Sequence, residues 1–443
     1  MSRAKPQTYY LRSFGCQMND HDAEHIAGLL EEMGLAREES PEKAELLVYN
    51  TCSIREKADT RLAGHLGEAA RIKKKDGSRL VVVAGCLAQS RREELLRDFP
   101  VVDVLVGPQS LHELTDLLER RRLTGRPAGA FQEDTTCWSA DLPRARAEGP
   151  LAWVQITAGC DNFCSYCIVP YVRGRETSRA AADILAEVER LAREGVREIM
   201  FLGQNVNSYG TQPDFAGKET FAGLLHGACG VAGIERIRFM TSHPKDVSEA
   251  LIELLGARNQ ICEHLHLPVQ SGSDSVLEAM RRGYDRQGYL NLVRRLRRAV
   301  PGLALTTDLI VGFPGETEAD FEDTLSLVEA CGFDGAFTFI YSPRAQTEAA
   351  RLPGRVDPEV ARTRLQRLVD LVQRQGRERN EALLGEVVEV LVERRSRHAA
   401  GEVMGRTRSY KPVNFPSSAR PGALVAVELL EATSTSFRGR EAG

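Results

Sequence analysis

The chain has 443 residues, of which 42% are hydrophobic and 27% charged, and its formal net charge is -4. This length exceeds one ordinary hydrophobic core, so we expect two or three domains. No run of about 18 apolar residues occurs, which argues against a membrane-spanning helix. The near balance of charge argues against a protein that binds nucleic acid through its overall field.

The basic residues are mostly arginine: nine are lysines and 49 are arginines. Arginine makes planar, two-pronged contacts to phosphate, so this skew suits an RNA partner. A bias of the coding sequence toward arginine explains it equally well. Binding of RNA therefore has to come from local patches of the surface.

The cysteine content bears on the compartment and the chemistry. The N-terminal residues Met1 to Pro6 lead into a strand-like run without the apolar core of a signal peptide, so we predict a cytoplasmic protein with no membrane partner. Ten cysteines in that compartment argue against a disulfide framework, because thiols are kept reduced there. Metal binding or catalysis is the better interpretation.

Residues 7 to 120 alternate strand-like and helix-like runs. Apolar, β-branched strands separated by helices are typical of a parallel sheet covered by helices. The strands are predicted at Tyr9 to Phe14, Leu46 to Thr51, Leu80 to Ala84 and Val101 to Val106. Residues 121 to 150 lose this periodicity and contain several glycines and prolines, so we predict a linker there.

A second series of strand and helix units runs from Leu151 to about Arg344. Each of the first five strands is followed by a helical stretch, and six such units favour a partial barrel. The strands are predicted at Ala152 to Thr157, Glu198 to Gln204, Ile237 to Ser242, His264 to Gln270, Leu303 to Val311 and Ala336 to Tyr341.

The pattern changes again after Pro358, where an arginine-rich helix is predicted to run to about Leu384. Short alternating strands then indicate a small all-β module, preferably a barrel. They are predicted at Val387 to Glu393, Gly401 to Thr407, Leu424 to Leu429 and near Phe437. The predicted fold class is α/β, with an N-terminal parallel α/β domain, a central partial (β/α)6 barrel and a small C-terminal all-β barrel.

Cys160, Cys164 and Cys167, here called the central triplet, directly follow the first predicted barrel strand. Three such thiolates can bind three corners of a 4Fe-4S cluster, which needs four ligands. The open iron can bind the amino and carboxylate groups of S-adenosylmethionine, which then accepts an electron and breaks homolytically at sulfur. A zinc site would need a fourth ligand at matching spacing, and a redox dithiol would not need Cys160.

Polar residues and glycine stand at the predicted carboxyl ends of the barrel strands, the face on which a barrel carries its chemistry. Tyr166, beside the last cysteine, suits packing against a bound nucleoside. The residues predicted to bind S-adenosylmethionine are Tyr166, Gln204, Asn205, Ser271 and Gly312. Each also has a structural interpretation, because strand ends and loop caps use the same residue types.

Cys16, Cys52 and Cys86, here called the N-terminal triplet, each lie at or just beyond the end of a predicted strand. Parallel strands present their carboxyl ends on one edge, so we expect these thiols to converge. The alternative is three buried cysteines acting as small hydrophobic residues. The remaining cysteines share no register and are predicted to be packing residues: Cys137, Cys229, Cys262 and Cys331.

The predicted C-terminal barrel carries basic and aromatic residues in close succession. This interleaving suits a surface that follows an RNA backbone and stacks on bases. The residues predicted to contact RNA are Arg406, Arg408, Tyr410 and Lys411, followed by Phe415. A protein-docking or purely structural module is the alternative.

Longer motifs around the cysteines resemble one known family. Phe14 to Asn19, Asn50 to Ala58, Gly85-Cys86 and Gly159 to Gly174 closely resemble the methylthiotransferases, a family of radical S-adenosylmethionine enzymes. The resemblance covers essentially the whole chain. It implies three domains: an α/β domain at 7–123, a radical S-adenosylmethionine core at 146–376 and a TRAM-like RNA-binding barrel at 378–441.

The resemblance also implies a reaction. The central triplet would hold the 4Fe-4S cluster that cleaves S-adenosylmethionine, and the N-terminal triplet would hold an auxiliary 4Fe-4S cluster that carries the sulfur to be inserted. One S-adenosylmethionine methylates that sulfur, and a second yields a 5′-deoxyadenosyl radical. The radical removes hydrogen from the 2-carbon of a prenylated adenosine beside the tRNA anticodon, which receives the methylthio group. No catalytic residue beyond the cluster ligands is implied.

The partners that this reaction implies are tRNA, an electron donor such as flavodoxin or ferredoxin, and a sulfur source or iron–sulfur carrier. Within the family, Asn50 to Ala58 favours the branch that acts on dimethylallyladenosine. The other branches modify an aspartate of a ribosomal protein or a threonylcarbamoyl-adenosine of tRNA. An iron–sulfur RNA-binding sensor without catalytic activity is the alternative from another class.

Overall fold

The computed structural model describes residues 5–53, 56–133, 138, 141–146, 148–213, 215, 219–396, 399 and 401–442, with the backbone alone at 56–59. Cys137 lies outside the described residues. The chain forms two compact units, the first of Met1–Ala147, Ala158–Asp161 and Cys167–Thr177, the second of Glu148–Thr157, Asn162–Tyr166 and Ser178–Gly443. None of the helices within the described ranges is long and apolar enough to span a lipid bilayer.

The first unit is a parallel sheet covered by helices. Its elements are β1 (Thr8–Phe14), α1 (Gln17–Glu32), β2 (Ala36–Arg37), β3 (Leu46–Thr51), α2 (Glu56–Lys75), β4 (Leu80–Gly85), α3 (Cys86–Arg91), α4 (Glu93–Asp98), β5 (Val104–Val106), α5 (Leu114–Thr124) and β6 (Ala128–Ala130). The strand order is β2-β1-β3-β4-β5-β6, and all neighbours are parallel. Every residue of β3 and β4 is buried, because apolar clusters pack on both faces of the sheet.

The predicted linker at residues 121 to 150 is wrong in two places. The helix α5 extends to Thr124, and Ala128–Ala130 forms the edge strand β6. In addition, residues 141–146 lie against α1, where the Ala145 amide donates to the Glu24 carbonyl at 3.0 Å. A three-residue strand of small side chains gives no periodic signal, and the contact with α1 depends on tertiary structure alone.

The chain continues through a second series of strands and helices. These are β7 (Leu151–Gln155), β8 (Thr157–Ala158), α6 (Val169–Arg173), β9 (Thr177–Ser178), α7 (Ala181–Arg193), β10 (Glu198–Leu202), α8 (Phe221–Cys229), β11 (Arg236–Phe239), α9 (Glu249–Ala257), β12 (His264–His266), α10 (Asp274–Ala279), α11 (Arg286–Ala299), β13 (Ala304–Val311), α12 (Glu318–Cys331), β14 (Gly335–Ile340) and α13 (Pro358–Glu381). The segment that contains α6 belongs to the first unit.

Six parallel strands form the centre of the second unit. β7, β10 and β11 make one three-stranded sheet, and β12, β13 and β14 make another. A parallel bridge between Ile237 and Ile261 joins the two. One large apolar cluster lies between these strands and their helices. The predicted partial (β/α)6 barrel is therefore confirmed.

Local sequence explains where individual helices begin and which face they bury. In α12 the Thr317 hydroxyl accepts from the Asp320 amide, and the Asp320 carboxylate accepts from the Thr317 amide, so the first turn is capped from both sides. In α7 the buried residues Ile184, Val188 and Leu191 recur at the spacing of one helix face.

The C-terminal residues form a closed five-stranded barrel. Its strands are β15 (Val387–Arg395), β16 (Glu402–Thr407), β17 (Pro412–Pro416), β18 (Leu424–Ala432) and β19 (Phe437–Glu441), in the order β15-β16-β17-β19-β18. The barrel is confirmed, but the prediction had no strand at β17. Proline at both ends and an asparagine within this strand disfavour a strand assignment from sequence, although barrel closure accommodates them.

Candidate metal centres

The N-terminal triplet lies at one edge of the sheet of the first unit. The final residues of the neighbouring strands β1, β3 and β4, namely Phe14, Thr51 and Gly85, are paired in register. The cysteines of the triplet follow these residues by one or two positions. The structure thus places three thiols where three adjacent parallel strands end.

Close packing of the backbone at this edge requires glycine. A Cβ on Gly15 would lie 2.8 Å from the Cys52 Cβ, and one on Gly85, at φ +92°, would lie 2.5 Å from the Thr51 carbonyl oxygen. The side-chain Nδ2 of Asn19 donates to the same Thr51 carbonyl at 3.2 Å. These contacts hold the ends of the three strands together where the thiols stand.

Arg173 brings a buried positive charge to the N-terminal triplet. Its Nε donates to the Cys86 Sγ at 3.2 Å, and its Nη2 donates to the Asp22 Oδ2 at 2.8 Å. The side chains of this ion pair are 7% and 6% exposed. Sequence reasoning missed both residues. The one available signal was that Arg173 lies in the motif Gly159 to Gly174, which also contains the central triplet.

The thiols of this triplet ionise differently. A hydrogen bond from Cys52 lowers the pKa of the Cys16 thiol to about 6, with burial opposing this change and the charge of Arg173 supporting it. Burial raises the pKa of the Cys86 thiol, against the charge of Arg173. Of these two thiols, Cys16 is therefore the one more readily ionised at neutral pH, and a thiolate is the form in which cysteine binds metal.

The central triplet lies on the loop after β8, and this loop depends on a glycine. Gly159 has φ +74°, and a Cβ there would lie 2.0 Å from the Arg175 carbonyl oxygen. The next residue is anchored too, because the Cys160 amide donates to the Gly174 carbonyl at 3.3 Å. No other residue type fits at Gly159 without a backbone shift.

Arg282 lies beside the Cys164 sulfur. It is 4% exposed. Its Nη1 donates to the Cys164 Sγ at 3.3 Å and its Nη2 to the Pro268 carbonyl at 2.9 Å, while its Nε donates to the Tyr284 hydroxyl at 2.9 Å. Among the described residues no carboxylate pairs with it. A buried cation without a carboxylate is costly, so this position favours an anionic group next to Cys164.

The residues at both triplets fit iron–sulfur clusters. Within the described ranges, no group of three or more His, Cys, Asp or Glu side chains is arranged to hold a metal ion. A 4Fe-4S cluster makes a different demand, because each thiolate binds a different iron and the ligands stay farther apart than those of one ion. The buried guanidinium groups at Cys86 and Cys164 match the negative charge of a thiolate-bound cluster.

Two of the residues predicted to bind S-adenosylmethionine carry buried polar atoms that lack a partner. Both side-chain amide atoms of Gln204 and the Oδ1 of Asn205 have no hydrogen-bond partner among the described residues. The Asn205 Nδ2 is engaged, since it donates to the Asp246 Oδ2 at 2.8 Å. Buried polar groups are normally satisfied, so these atoms point to a ligand at the end of β10.

The other three predicted cofactor residues already have partners within the chain. The Tyr166 hydroxyl accepts from Arg282 at 3.4 Å, and the Ser271 hydroxyl accepts from the amide two residues later at 3.2 Å. The Gly312 amide donates to the Glu316 Oε2 at 2.7 Å. Contact of these residues with S-adenosylmethionine stays a prediction.

His243 follows β11 on the same side of the partial barrel as Gln204, beyond the carboxyl ends of the strands. Burial, together with the charges of Arg282 and Lys245, lowers the pKa of its imidazole to about 2. Its Nε2 is buried without a partner among the described residues. At neutral pH this imidazole is uncharged and weakly basic, so it can hydrogen-bond a ligand but is poorly suited to remove a proton.

Of the residues predicted to contact RNA, Arg406 lies near the end of β16 and the other three lie in the turn before β17. Their charged groups are engaged within the second unit. Arg406 pairs with Glu393 at 2.5 Å, and Arg408 pairs with Glu263 at 2.7 Å. Lys411 is 7% exposed and pairs with Asp334 at 2.9 Å.

Two guanidinium groups lie over the Tyr410 ring, that of Arg238 at 5.0 Å and that of Arg406 at 4.7 Å from the ring centre. Phe415, grouped with these residues in the prediction, is fully buried in the core of the small barrel. Placing Phe415 on an RNA-binding surface is therefore wrong. RNA contact by the other four residues stays a prediction.

Sequence reasoning also missed Arg236 and Arg238. Both are buried, and both reach the small barrel: Arg236 donates to the Arg406 carbonyl at 2.8 Å, and Arg238 donates to the Thr407 carbonyl at 2.8 Å. Their alternation in β11 was the available signal, since side chains two apart lie on one face of a strand.

Three family descriptions match parts of this chain. Residues 154–328 match the Radical SAM superfamily, residues 8–107 match Uncharacterized protein family UPF0004, and residues 381–440 match the TRAM domain. The fold is also similar to that of solved proteins, including a radical S-adenosylmethionine methyltransferase, TsrM, from Kitasatospora setae. That similarity has a TM-score of 0.57 at 16% identity and covers 78% of this chain and 77% of the other.

A second solved protein, the cobalamin-dependent S-adenosylmethionine radical enzyme OxsB, has a TM-score of 0.50 at 13% identity, with 82% of this chain and 56% of the other covered. At such identities the likeness concerns the fold alone. The class of protein follows from the fold, the central triplet and the superfamily match taken together. It is a radical S-adenosylmethionine enzyme with an added N-terminal α/β domain and a TRAM domain.

Relatives of much higher similarity narrow this class. A tRNA-2-methylthio-N(6)-dimethylallyladenosine synthase of Moorella thermoacetica is 46% identical over 98% of this chain and 98% of its own. The synthase of the same name from Caldicellulosiruptor saccharolyticus is 45% identical over 97% of this chain and 91% of its own. The chain belongs to the family of tRNA-2-methylthio-N(6)-dimethylallyladenosine synthases, which are tRNA methylthiotransferases.

Proposed function

We propose that this protein converts N6-dimethylallyladenosine next to the anticodon of tRNA to its 2-methylthio derivative. The observation that carries the proposal is the second set of cysteines: the N-terminal triplet meets at one sheet edge beside a buried arginine. A radical S-adenosylmethionine enzyme needs one cluster to generate its radical, so a second cluster site indicates an additional task such as sulfur insertion.

We assign one 4Fe-4S cluster to each triplet, and two molecules of S-adenosylmethionine to each reaction. The cluster at the central triplet supplies, when bound, the electron that cleaves S-adenosylmethionine and so yields a radical able to remove an aryl hydrogen. Such a C–H bond is too weakly acidic for a side-chain base. His243 is buried and uncharged at neutral pH, which fits a site where no side-chain base removes the hydrogen.

Side chains at the strand ends would bind and orient S-adenosylmethionine. Gln204 and Asn205 offer both donors and acceptors that have no partner among the described residues, as a ligand with amino, carboxylate and hydroxyl groups requires. Arg282 would balance negative charge at Cys164. Tyr166, Ser271 and Gly312 complete the proposed cofactor-binding set.

The domain division that we propose is 7–123, 146–376 and 378–441, with the last segment directing the enzyme to tRNA. An electron donor such as flavodoxin or ferredoxin and a source of sulfur or iron–sulfur clusters are the further partners that the reaction requires. With tRNA as its substrate, the proposed location is the cytoplasm.

The modified nucleosides of tRNA test this function. In a strain without the gene, mass spectrometry of digested tRNA should show accumulation of N6-dimethylallyladenosine and loss of its 2-methylthio form. The wild-type gene should restore the product, and Cys86→Ala or Cys164→Ala should not. Cys262→Ala is the matched control, because Cys262 is a buried thiol outside both triplets. Normal 2-methylthio nucleoside in the deletion strain would overturn the proposal.

The proposed RNA contact requires a separate measurement. Arg406→Ala with Arg408→Ala should weaken binding of tRNA and reduce its dependence on salt, because each phosphate contact adds to the salt slope. Since both arginines also pair within the chain, a thermal unfolding curve is needed to show that the barrel is still folded. Unchanged binding by a folded variant would remove these residues from the RNA interface.

A further inference from the structure

The contact between Arg173 and Cys86 has features of a built site. A guanidinium group that is 7% exposed reaches a thiol sulfur at 3.2 Å while a carboxylate fixes its other side at 2.8 Å. Burial of an arginine and an aspartate costs several kcal/mol per ion, so such a pair persists where its geometry is well satisfied. Here one guanidinium donor is directed at sulfur.

A second buried arginine–aspartate pair in the same unit has a different geometry. Arg121 donates through its Nε to the Asp103 Oδ1 at 2.9 Å, and its Nη2 lies 2.7 Å from the same oxygen. Both of these nitrogens therefore serve one carboxylate. At Arg173 the Nε and Nη2 diverge instead, one to the thiol of Cys86 and one to Asp22.

The chain around Arg173 fixes this position independently of the ion pair. Arg173 ends the short helix α6, six residues after Cys167. Ile168 and Val172 pack with Cys86 in one buried apolar cluster, and the Gln109 side chain donates to the Arg173 carbonyl at 2.9 Å. Apolar packing and this hydrogen bond thus hold the backbone of Arg173 next to Cys86.

We propose that Arg173, held by Asp22, is a positioning residue of the auxiliary cluster at the N-terminal triplet. This inference rests on the proposed function, which places a cluster there. The Arg173 Nε donates to the Cys86 sulfur, and its charge offsets that of the thiolates. Hydrogen bonds to sulfur and nearby positive charge stabilise a cluster and raise its reduction potential.

The same assignment makes the auxiliary site depend on the segment that follows the central triplet. Residues 7–123 provide all three thiols, but the donor to Cys86 comes from residue 173. The segment that ends the loop of the central triplet therefore also completes the auxiliary site.

The experiment uses the full chain with the central triplet replaced by alanine, so that iron reports on the auxiliary site alone. After anaerobic reconstitution, iron and sulfide content, the rate of iron loss to a chelator and the reduction potential from electron paramagnetic resonance are measured. Arg173→Gln should lose iron roughly tenfold faster and shift the potential to a more negative value. Arg173→Lys keeps the positive charge but lacks the planar guanidinium group, so its reduction potential should lie between those of the parent and Arg173→Gln.

Two further variants separate positioning from folding. The double variant Arg173→Met with Asp22→Asn removes both buried charges, so no unpaired ion is left to unfold the site. This double variant should also lose iron faster than the parent. Arg121→Gln removes the comparison pair and should lower thermal stability without changing the potential.

The outcomes distinguish this inference from the function on which it rests. Absence of iron in the parent variant would overturn the auxiliary cluster itself. A parent that holds about four irons, with an unchanged potential and chelation rate in folded Arg173→Gln and in the double variant, would overturn the role of Arg173 alone.

Discussion

Two buried guanidinium groups lie against cysteine sulfurs, and their charges are balanced differently. Arg173 has Asp22 as its counter-ion, whereas Arg282 has carbonyl, hydroxyl and sulfur partners and no carboxylate among the described residues. The positive charge beside Cys164 is therefore less compensated than the one beside Cys86. This difference favours the accumulation of negative charge near Cys164, where an anionic cluster and a carboxylate-bearing ligand would meet.

The charge of Arg282 can be tested by Arg282→Met in a chain with the N-terminal triplet replaced by alanine. We expect roughly tenfold faster loss of iron to a chelator, because a donor to the Cys164 sulfur and the balancing charge are both removed. Arg281→Met is the matched control, since this neighbour is 57% exposed and pairs with Glu348. Equal iron retention in the two variants would contradict the role of Arg282.

Gly159 provides a test of the loop that carries the central triplet. Gly159→Ala should destabilise the folded state by about 1–3 kcal/mol from φ alone, with an added clash against the Arg175 carbonyl oxygen at 2.0 Å. Gly195→Ala has the same left-handed backbone, φ +91°, but open space around its Cβ. Thermal unfolding should show the larger loss for Gly159→Ala. Equal losses would mean that the clash relaxes without cost.

His243 predicts a specific pH dependence of folding. Burial lowers the pKa of its imidazole to about 2, whereas an unfolded histidine titrates near ~6.5. Below pH ~6.5 the unfolded chain therefore binds one more proton at this site, and the free energy of unfolding falls by about 1.4 kcal/mol per pH unit. The stabilisation from a neutral His243 is fully present above that pH.

His243→Asn removes this titration and keeps a side chain that can cap the turn at Lys245. Denaturant unfolding between pH 5 and 7 should show a shallower pH dependence for the variant than for the wild type. Parallel curves would show that His243 is already protonated or accessible in the folded chain.

At the element scale, the turn between β16 and β17 joins the small barrel to β11 of the partial barrel. Arg238 is fully buried and donates to the Glu198 Oε1 at 2.9 Å and to the carbonyls of Thr407 and Arg408 at 2.8 and 2.6 Å. The Tyr410 ring packs against the same guanidinium group. The small barrel is thus attached through hydrogen bonds that are shielded from water, which makes the attachment rigid.

Loss of this attachment is predicted for Arg238→Met. The variant leaves Glu198 buried without its closest partner and should destabilise the folded state by about 3–5 kcal/mol. Hydrogen exchange of residues 402–416 should increase. Arg440→Met, which breaks an exposed pair with Glu428, should cost only about 0–1 kcal/mol. Similar exchange in both variants would show that other contacts hold the turn.

At the scale of the whole molecule, the two cysteine triplets predict two separable activities. The wild type should bind about eight irons after reconstitution, and replacement of either triplet by alanine should leave about four. Without the N-terminal triplet, the enzyme should still release 5′-deoxyadenosine from S-adenosylmethionine but form no methylthio product. Without the central triplet, the enzyme should neither release 5′-deoxyadenosine nor form the methylthio product. Release of 5′-deoxyadenosine by the variant that lacks the central triplet would contradict the assignment.

Much of the fold followed from the sequence because its signals are local. Buried apolar runs such as Leu46–Thr51 and Leu80–Gly85 predict parallel strands with the observed limits to within one residue. The sequence signal of the central triplet is local too, because its three cysteines lie within eight residues of one another. The N-terminal triplet was predictable for another reason: each cysteine follows a strand, and parallel strands end on one edge.

Contacts between distant segments were not predictable in the same way. The partners Asp22, Cys86 and Arg173 come from three separate parts of the chain, and no spacing rule relates them. The partners of the predicted RNA-binding residues were equally unpredictable; these residues are Arg406, Arg408, Tyr410 and Lys411. Their composition suggests an RNA surface, whereas the structure pairs their charges with Glu393, Glu263 and Asp334.

The α/β class, the partial barrel and the small β-barrel could be predicted from the sequence, because periodicity and strand ends are encoded locally. The six cysteines were singled out for the same reason, and their role as cluster ligands stays a prediction. Which charged groups lie beside those cysteines, and which basic residues are already paired, became visible in the folded chain. A buried arginine and an exposed one look alike in a sequence. Their difference arises when distant elements exclude water from one of them and supply its hydrogen-bond partners.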